Sequence, residues 1–300
     1  MKPVSEQVVL GLGEVLWDCF DSSRRPGGAP ANVSFNARQL GHLGLICSRV
    51  GTDPLGEELL EYLAARKLET QYIQRDSVNP TGRVTVDTRD PANPSFIIHE
   101  DSAWDYLEFN TALRTLMGRA AAVCFGTLAQ RNEPSRETIH RCLAAAETSL
   151  RVYDVNLRQQ WYRRDWIERS LRAAHVVKLN EDEARILADL LELDGSSPEH
   201  FAVEMRNRFQ VDLVCITRSD KGCLLFNASE SIEIAGVPVQ VEDAVGAGDA
   251  FTAALISGLL RGWPLRTTGT FANRVGALVA SRPGAMPDLQ KEYAEWIAQI

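Results

Sequence analysis

Residues 242–260 read EDAVGAGDAFTAALISGLL. Gly246, Ala247 and Gly248 are three small residues in front of a strongly apolar run. Small residues there predict a helix start whose main-chain N–H groups stand open at the positive end, a cradle for an anion. Asp249 falls in the first turn, where the dipole favours its ionised form. A carboxylate repels a bound anion, so its place in this cradle needs a reason. The plain reading is a glycine-rich helix start capped by Asp249. That reading leaves Asp243 of the array D-x-x-G-x-G-D without a part.

In the rest of the chain, short apolar runs alternate with helical patterns. VVLGL (8–12), LICSRV (45–50), AVCFG (122–126), VYDVN (152–156), VVKLN (176–180) and LVCIT (213–217) are apolar nearly throughout, as strands covered on both faces are. Residues 30–41, 53–68 and 134–149 carry helical spacing, and 247–281 and 288–299 read as helix. Strand–helix–strand order predicts a parallel sheet in an α/β sandwich. Two stretches break the rhythm. VTVDT and SFIIH within 71–99, joined by RDPANP, read as a hairpin: either a small sheet projecting as a lid or an edge hairpin of the main sheet. Residues 223–241 form a second antiparallel-looking run.

Composition narrows the class. The 300 residues are 45% hydrophobic and 24% charged, ordinary for a globular chain. A single domain of this length buries roughly 75% of its unfolded surface and needs no staples. The net charge of −8 argues against sequence-independent nucleic-acid binding. Six cysteines without a CxxC read as reduced apolar fillers. The N-terminus lacks a secretory apolar region, and no run is long enough to span a bilayer, so a cytoplasmic protein with no membrane partner is expected.

Other polar clusters come after the predicted strands, where open α/β sheets bind ligands. In GLGEVLWD (11–18) the glycine pair invites a dinucleotide reading, but position 16 is Leu and the third glycine is missing. Asp18 is then a ligand-facing acid past the strand end, or a turn acid. In RPGGAPANVSF, Gly27 and Gly28 allow close backbone approach, and Asn32 offers donors and an acceptor suited to sugar hydroxyls; a tight turn is the alternative. Asp154, Asn156 and Arg158 alternate, so Arg158 is free to hold an anion or pairs internally with Asp154. Asn180, Glu181 and Glu183 read as a helix N-terminal cap or as residues around a magnesium ion. Thr217, Ser219 and Gly222 form a polar turn, for a nucleotide or for a plain hairpin.

Asp249 gains a purpose if a phosphoryl group and an attacking hydroxyl meet at the helix start. The amides would neutralise the transferred group while Asp249 faces the hydroxyl and takes its proton. An aspartate of ordinary pKa, about 3.9, is a weak base. A weak base suffices when the transition state is loose and the proton leaves late.

Gly27-Gly28-Ala29-Pro30-Ala31-Asn32 and Asp243-Ala-Val-Gly-Ala-Gly-Asp249 resemble the two signatures of the ribokinase-like, or PfkB, carbohydrate kinases. The resemblance covers essentially the whole chain. It implies a ribokinase-like three-layer α/β/α sandwich, with a mainly parallel central sheet and a small β-sheet lid. Residues 1–300 would be one kinase domain, with lid elements at about 16–28 and 71–105. Carried over residue by residue, Asp249 is the catalytic base and Gly246, Ala247 and Gly248 form the anion hole. Asp18, Gly28, Asn32 and Arg158 would meet the sugar. Asn180, Thr217, Ser219, Gly222 and Asn273 would meet ATP. Glu183 would act on Mg²⁺ indirectly, and Asp243 would help to hold a monovalent cation, usually K⁺. The expected partners are a sugar and ATP, with the lid as a candidate dimer surface. GGAPAN with DVNLR looks most like fructokinases. The 2-keto-3-deoxygluconate kinases come next, with Arg158, Arg83 or Arg89 for that substrate's carboxylate. A non-catalytic sugar- or nucleotide-binding protein is the alternative from another class. Ala244 stands where a threonine is common, Ser219 replaces a frequent glycine, and HEDSAWDYL (99–107) lacks the Tyr-Arg pair of many fructokinases.

Overall fold

Every residue of the first strand, β1 (Val8–Leu12), is buried. Because successive side chains point to opposite faces, such a strand must be covered from both sides. The computed structural model, which describes residues 3–20, 23–87 and 95–300, supplies both covers. After β1 come β2 (Leu16–Cys19), β3 (Arg24–Gly27), α1 (Ala29–Gln39), β4 (Leu43–Gly51), α2 (Pro54–Ala65), β5 (Ile73–Asp76), β6 (Gly82–Asp87) and β7 (Ser95–Ile98). The middle of the chain contributes α3 (Thr111–Met117), β8 (Ala120–Phe125), α4 (Glu133–Ala145), β9 (Leu150–Asp154), α5 (Arg164–Ala173), β10 (Val176–Asn180), α6 (Glu181–Leu191) and α7 (Pro198–Phe209). The last part holds β11 (Leu213–Thr217), β12 (Cys223–Phe226), β13 (Ser231–Ile234), α8 (Ala247–Leu260), α9 (Leu265–Ala280) and α10 (Gln290–Ile297).

Among the described residues, nine strands form the main sheet in the order β13-β12-β11-β10-β9-β8-β1-β4-β5. From β11 through β5 the neighbours are parallel; β12 and β13 are added antiparallel at one edge. Leu10 and Leu12 pack into one apolar cluster with Ile139 and Leu143 of α4, Ile167 of α5, Leu187 of α6 and Met205 of α7. Val9 points the other way, into a cluster with Val33 of α1, Leu255 of α8 and Val275 of α9. These are the three layers expected. α8 is buried without a break from Ala250 to Gly258, which explains why its sequence is apolar all round.

A second sheet, in the order β3-β2-β6-β7, stands apart from the first. Its base is Val15 and Trp17, packed with Phe35 of α1, Leu59 of α2 and Met286. Within the pieces VTVDT and SFIIH, residues 84–87 and 95–98 do form an antiparallel pair there. The linking RDPANP, with Arg89, lies outside the described residues.

Two bounds of the expected lid need correction. The lid does not begin at about residue 71: Ile73–Asp76 pairs parallel with Ser48–Gly51 as the edge of the main sheet. Nor does it reach 105, because Ala103–Tyr106 is a short 3-10 turn whose Trp104 is fully buried in the α4 core. Among the described residues the small sheet consists of Leu16–Cys19, Arg24–Gly27, Gly82–Asp87 and Ser95–Ile98, which pair with one another and with no strand of the main sheet. The stretch read as helical over 247–281 is helical, in two pieces: Gly262, at φ 70°, and Pro264 end α8 and start α9. Among the described residues no helix is long and apolar enough to cross a membrane. Five of the six cysteines are buried, Cys19 is half-buried, and none is paired in a disulfide.

Candidate active site

The C-terminal ends of β1, β9, β10 and β11 and the N-termini of α1 and α8 converge on one cleft edge. Gly246 begins α8 in the left-handed region, φ 79°, and a Cβ there would stand 2.7 Å from Ala285 Cα. Only glycine makes that turn in that space. The Ala247 amide gives a long 3.3 Å bond to Ala244 O; Gly248 and Asp249 come next in the first turn, where amides have no intrahelical acceptor. The plain cap is not observed: no side chain caps α8.

Asp249 faces α1. Its Oδ2 accepts a 2.8 Å hydrogen bond from Asn32 Nδ2, joining residues 217 positions apart. Its pKa is pushed up to about 6, by burial first and then by the Asp154 charge; Asn32, Lys178 and Arg158 pull it back. This departs from the ordinary aspartate expected at a helix start. A helix dipole contributes typically about 0.3–1 kcal/mol, less than one pKa unit, and burial outweighs it here.

Beneath the cradle lies a pair that no sequence motif marks. Lys178, on β10, puts Nζ 3.1 Å from Asp154 Oδ1 and 3.2 Å from Oδ2, and Thr252 Oγ1 gives Asp154 a 2.8 Å bond. Burial works against the Lys178 ammonium, but Asp154, Glu183 and Asp249 together hold it charged. A Cβ on Gly248 would come within 3.2 Å of Lys178 Nζ, so the cation sits directly under the amide cradle. The internal pairing of Asp154 is therefore with Lys178 and not with Arg158. A lysine inside an otherwise apolar strand was the available signal. Arg158 is exposed, because β9 ends at Asp154 and Asn156 turns at φ 42°, which breaks the alternation. Its charge still reaches Asp18, Glu14 and Asp249.

Asp18 does not come directly after β1: that strand ends at Leu12, and Asp18 lies on β2 of the small sheet, opposite Arg25. Burial pushes its carboxyl up to about 6, against Arg158 and Arg25. Gly28, at φ 113°, is the residue before α1, and a Cβ there would lie 2.6 Å from Glu14 O. This close approach seats Glu14 against the start of α1. Sequence reasoning misses Glu14; the available signal was an acid directly after an apolar strand.

The remaining candidates have other partners. Asn180 and Glu183 form a reciprocal cap on α6: Asn180 Oδ1 accepts from Glu183 N, and Glu183 Oε2 accepts from Asn180 N, each at 2.8 Å. Glu183 Oε1 accepts from Leu157 N at 2.8 Å, so both oxygens are held by main chain and only outer, water-mediated contact with a magnesium ion fits. Thr217 is Asn180's register partner on β11, with Ser219 (φ 51°) and Gly222 (φ 94°) in the turn to β12. Asn273 donates from Nδ2 to Ala235 O at 3.1 Å, bracing the segment after β13. Asp243 accepts from Arg25 Nη1 (2.9 Å), Val245 N (3.0 Å) and Gly284 N (3.1 Å). Arg25 and Gly284 both donate to Oδ2, while Oδ1 takes only the Val245 amide and keeps a lone pair for a further partner. Asp18, Arg25, Asp243 and Met286 line a cavity of about 120 Å³ between the small sheet, the end of α2 and the segments before α8 and after α9. A larger recess of about 450 Å³ lies between α6 and α7 and includes none of the cleft carboxylates.

The chain matches the model of the pfkB family carbohydrate kinases over residues 4–292. It is 34% identical over 305 residues to PH1459 of Pyrococcus horikoshii, with 95% of this chain and 94% of that one covered. PH1459 is described as an uncharacterized sugar kinase; its crystal structure superposes with a TM-score of 0.83 over 96% of this chain and 97% of that one. PH1459 has also been solved in complex with ATP. The chain is 30% identical to a fructokinase of Salmonella typhimurium (93% and 94% covered) and 27% identical to an ATP-dependent 6-phosphofructokinase of Thermoanaerobacterium thermosaccharolyticum (94% and 90% covered).

Proposed function

Because the chain belongs to the pfkB family of carbohydrate kinases, a phosphotransferase acting on a sugar hydroxyl, we propose that it moves the γ-phosphoryl group of ATP to D-fructose, giving fructose 6-phosphate. One observation carries the mechanism: Asp249 stands in the first turn of α8 and is aimed by Asn32. Oδ2 is held by the Asn32 amide, and Oδ1 takes the proton of the attacking hydroxyl. At a pKa of about 6 the carboxylate is a better base than an ordinary aspartate and is still ionised at neutral pH. The α8 amides receive the transferred group, and Lys178 beneath them adds fixed positive charge. Asp154 and Thr252 fix that lysine. Magnesium would arrive with the ATP phosphates and neutralise their charge, with Glu183 beyond its waters.

The exposed Arg158, whose charge reaches the cleft carboxylates, favours one second reading: an acidic acceptor such as 2-keto-3-deoxygluconate. ADP release with fructose, fructose 6-phosphate, 2-keto-3-deoxygluconate and ribose tests both readings. Fructose should give the highest kcat/KM, and a preference for any other acceptor overturns the fructokinase assignment. The Asp249→Asn variant should lose about 10²–10⁴ in kcat while ATP still binds. Normal turnover by that variant removes Asp249 from the mechanism.

A further inference from the structure

Glu14 is 4% exposed, and its Oε2 has no hydrogen-bond partner. Asn32 is 3% exposed, and its Oδ1 also lacks one. The two belong to one place. Glu14 adjoins the start of α1, where a Cβ on Gly28 would lie 2.6 Å from its main-chain oxygen, and Asn32, in the first turn of that helix, holds the Asp249 carboxylate whose charge reaches Glu14. The Asn32 amide cannot turn over to relieve its oxygen, because Nδ2 is committed to Asp249. An unsatisfied buried acceptor is costly, and these two share a neighbour, the Asp249 carboxylate, which can donate to neither. Burial lifts the Glu14 carboxyl to about 7, with the Asp249 charge adding to it. Both effects are relieved by a donor, and hydroxyl groups are donors that also tolerate neighbouring carboxylates.

We propose that Glu14 is a specificity-determining residue of the acceptor site: its Oε2, with Oδ1 of Asn32, accepts hydrogen bonds from hydroxyls of the sugar other than the one phosphorylated. The inference rests on the kinase reading above. It adds the chemistry of the acceptor's inner end. That end is a neutral polyol, because Glu14, Asp18 and Asp249 repel an anionic group there, and any acidic group must face Arg158.

The test uses the full chain and starts with the acceptor panel. If no acceptor is turned over, the kinase reading fails, and that result is distinct from a failure of the Glu14 assignment. For the accepted sugar, each monodeoxy analogue is compared between the parent protein, Glu14→Gln and Glu14→Ala. In the parent, removing the hydroxyl that Glu14 reads should cost about 10–10²-fold in kcat/KM. In Glu14→Ala the same analogue should be used within about threefold of the parent sugar, with ATP KM unchanged within about twofold. Glu14→Gln, nearly the same shape, should lose the discrimination while keeping its melting temperature. If Glu14→Ala does not fold, Glu14→Gln and the parent analogue series still decide. Unaltered discrimination in the variants overturns the proposal. So does a parent that rejects no monodeoxy sugar by more than about threefold. A third overturning result is a loss that moves sugar, ATP and melting temperature together, since a buried water then fills the place.

Discussion

Asp249, Asp18 and Glu14 share an unusual property: each carboxyl is held above its ordinary range by burial, at about 6, 6 and 7. The consequences for activity and stability have opposite signs. A general base works only when ionised, so kcat/KM should fall as pH drops through about 6. With Asp18 titrating in the same interval, the acid limb should be steeper than one proton; a limb of unit slope centred near 4 contradicts the burial of both groups. For stability, a raised carboxyl pKa favours the folded state at low pH. That contribution is lost as pH rises through the folded-state value. The Asp249→Asn variant should therefore be as stable as the parent near pH 4 and more stable at pH 8. The gain should be about 1–3 kcal/mol, read as a rise in melting temperature. An equal or lower melting temperature at pH 8 contradicts the burial argument. Lys178 behaves differently because its charge is paired. Lys178→Met leaves Asp154 buried and uncompensated, a loss of about 3–5 kcal/mol in unfolding free energy; a change under 1 kcal/mol would mean that water reaches Asp154.

The helix α6 shows how one element serves two. Glu183 closes its own N-terminal cap and also holds Leu157 N in the loop after β9. Glu183→Ala removes the acceptors of two main-chain amides at once. It should cost about 1–3 kcal/mol, more than a cap alone, and raise the hydrogen-exchange rate of Leu157. Unchanged exchange at 157 would show that the loop holds itself. The sequence alone does not separate the cap and magnesium readings of N-x-x-E, because the same residue types satisfy both; the bond to Leu157, supplied from beyond a different strand, uses the carboxylate's second oxygen. The β11–β12 turn is similar. Its glycine and serine at positive φ are legible as a turn, but its position beside Asn180 is a matter of sheet register.

Across the molecule, the small sheet meets the α8 loop through Arg25 and Asp243, 218 residues apart. Arg25 is exposed, so the pair contributes little to global stability. Arg25→Ala should leave the melting temperature nearly unchanged. It should raise the sugar KM, because the small sheet is then no longer tied over the cleft. A KM equal to the parent's would show that the sheet is held by its apolar base, Trp17, Leu59 and Met286, alone.

The parallel sheet, the two glycine signatures and Asp249 are legible in the chain without coordinates, because local periodicity and backbone freedom leave their mark in neighbouring residues. Apolar runs such as VVLGL can only be strands covered twice, and Gly246 can only be a left-handed turn against a close neighbour. Long-range packing, in contrast, settles that Lys178 pairs with Asp154, that Asn32 aims Asp249, that Arg25 occupies Asp243, and that Glu14 is buried without a donor. These are contacts between segments 24 to 218 residues apart, or the lack of one. Burial and charge, which set the pKa of a carboxyl, depend on everything packed around it and not on its neighbours in the chain.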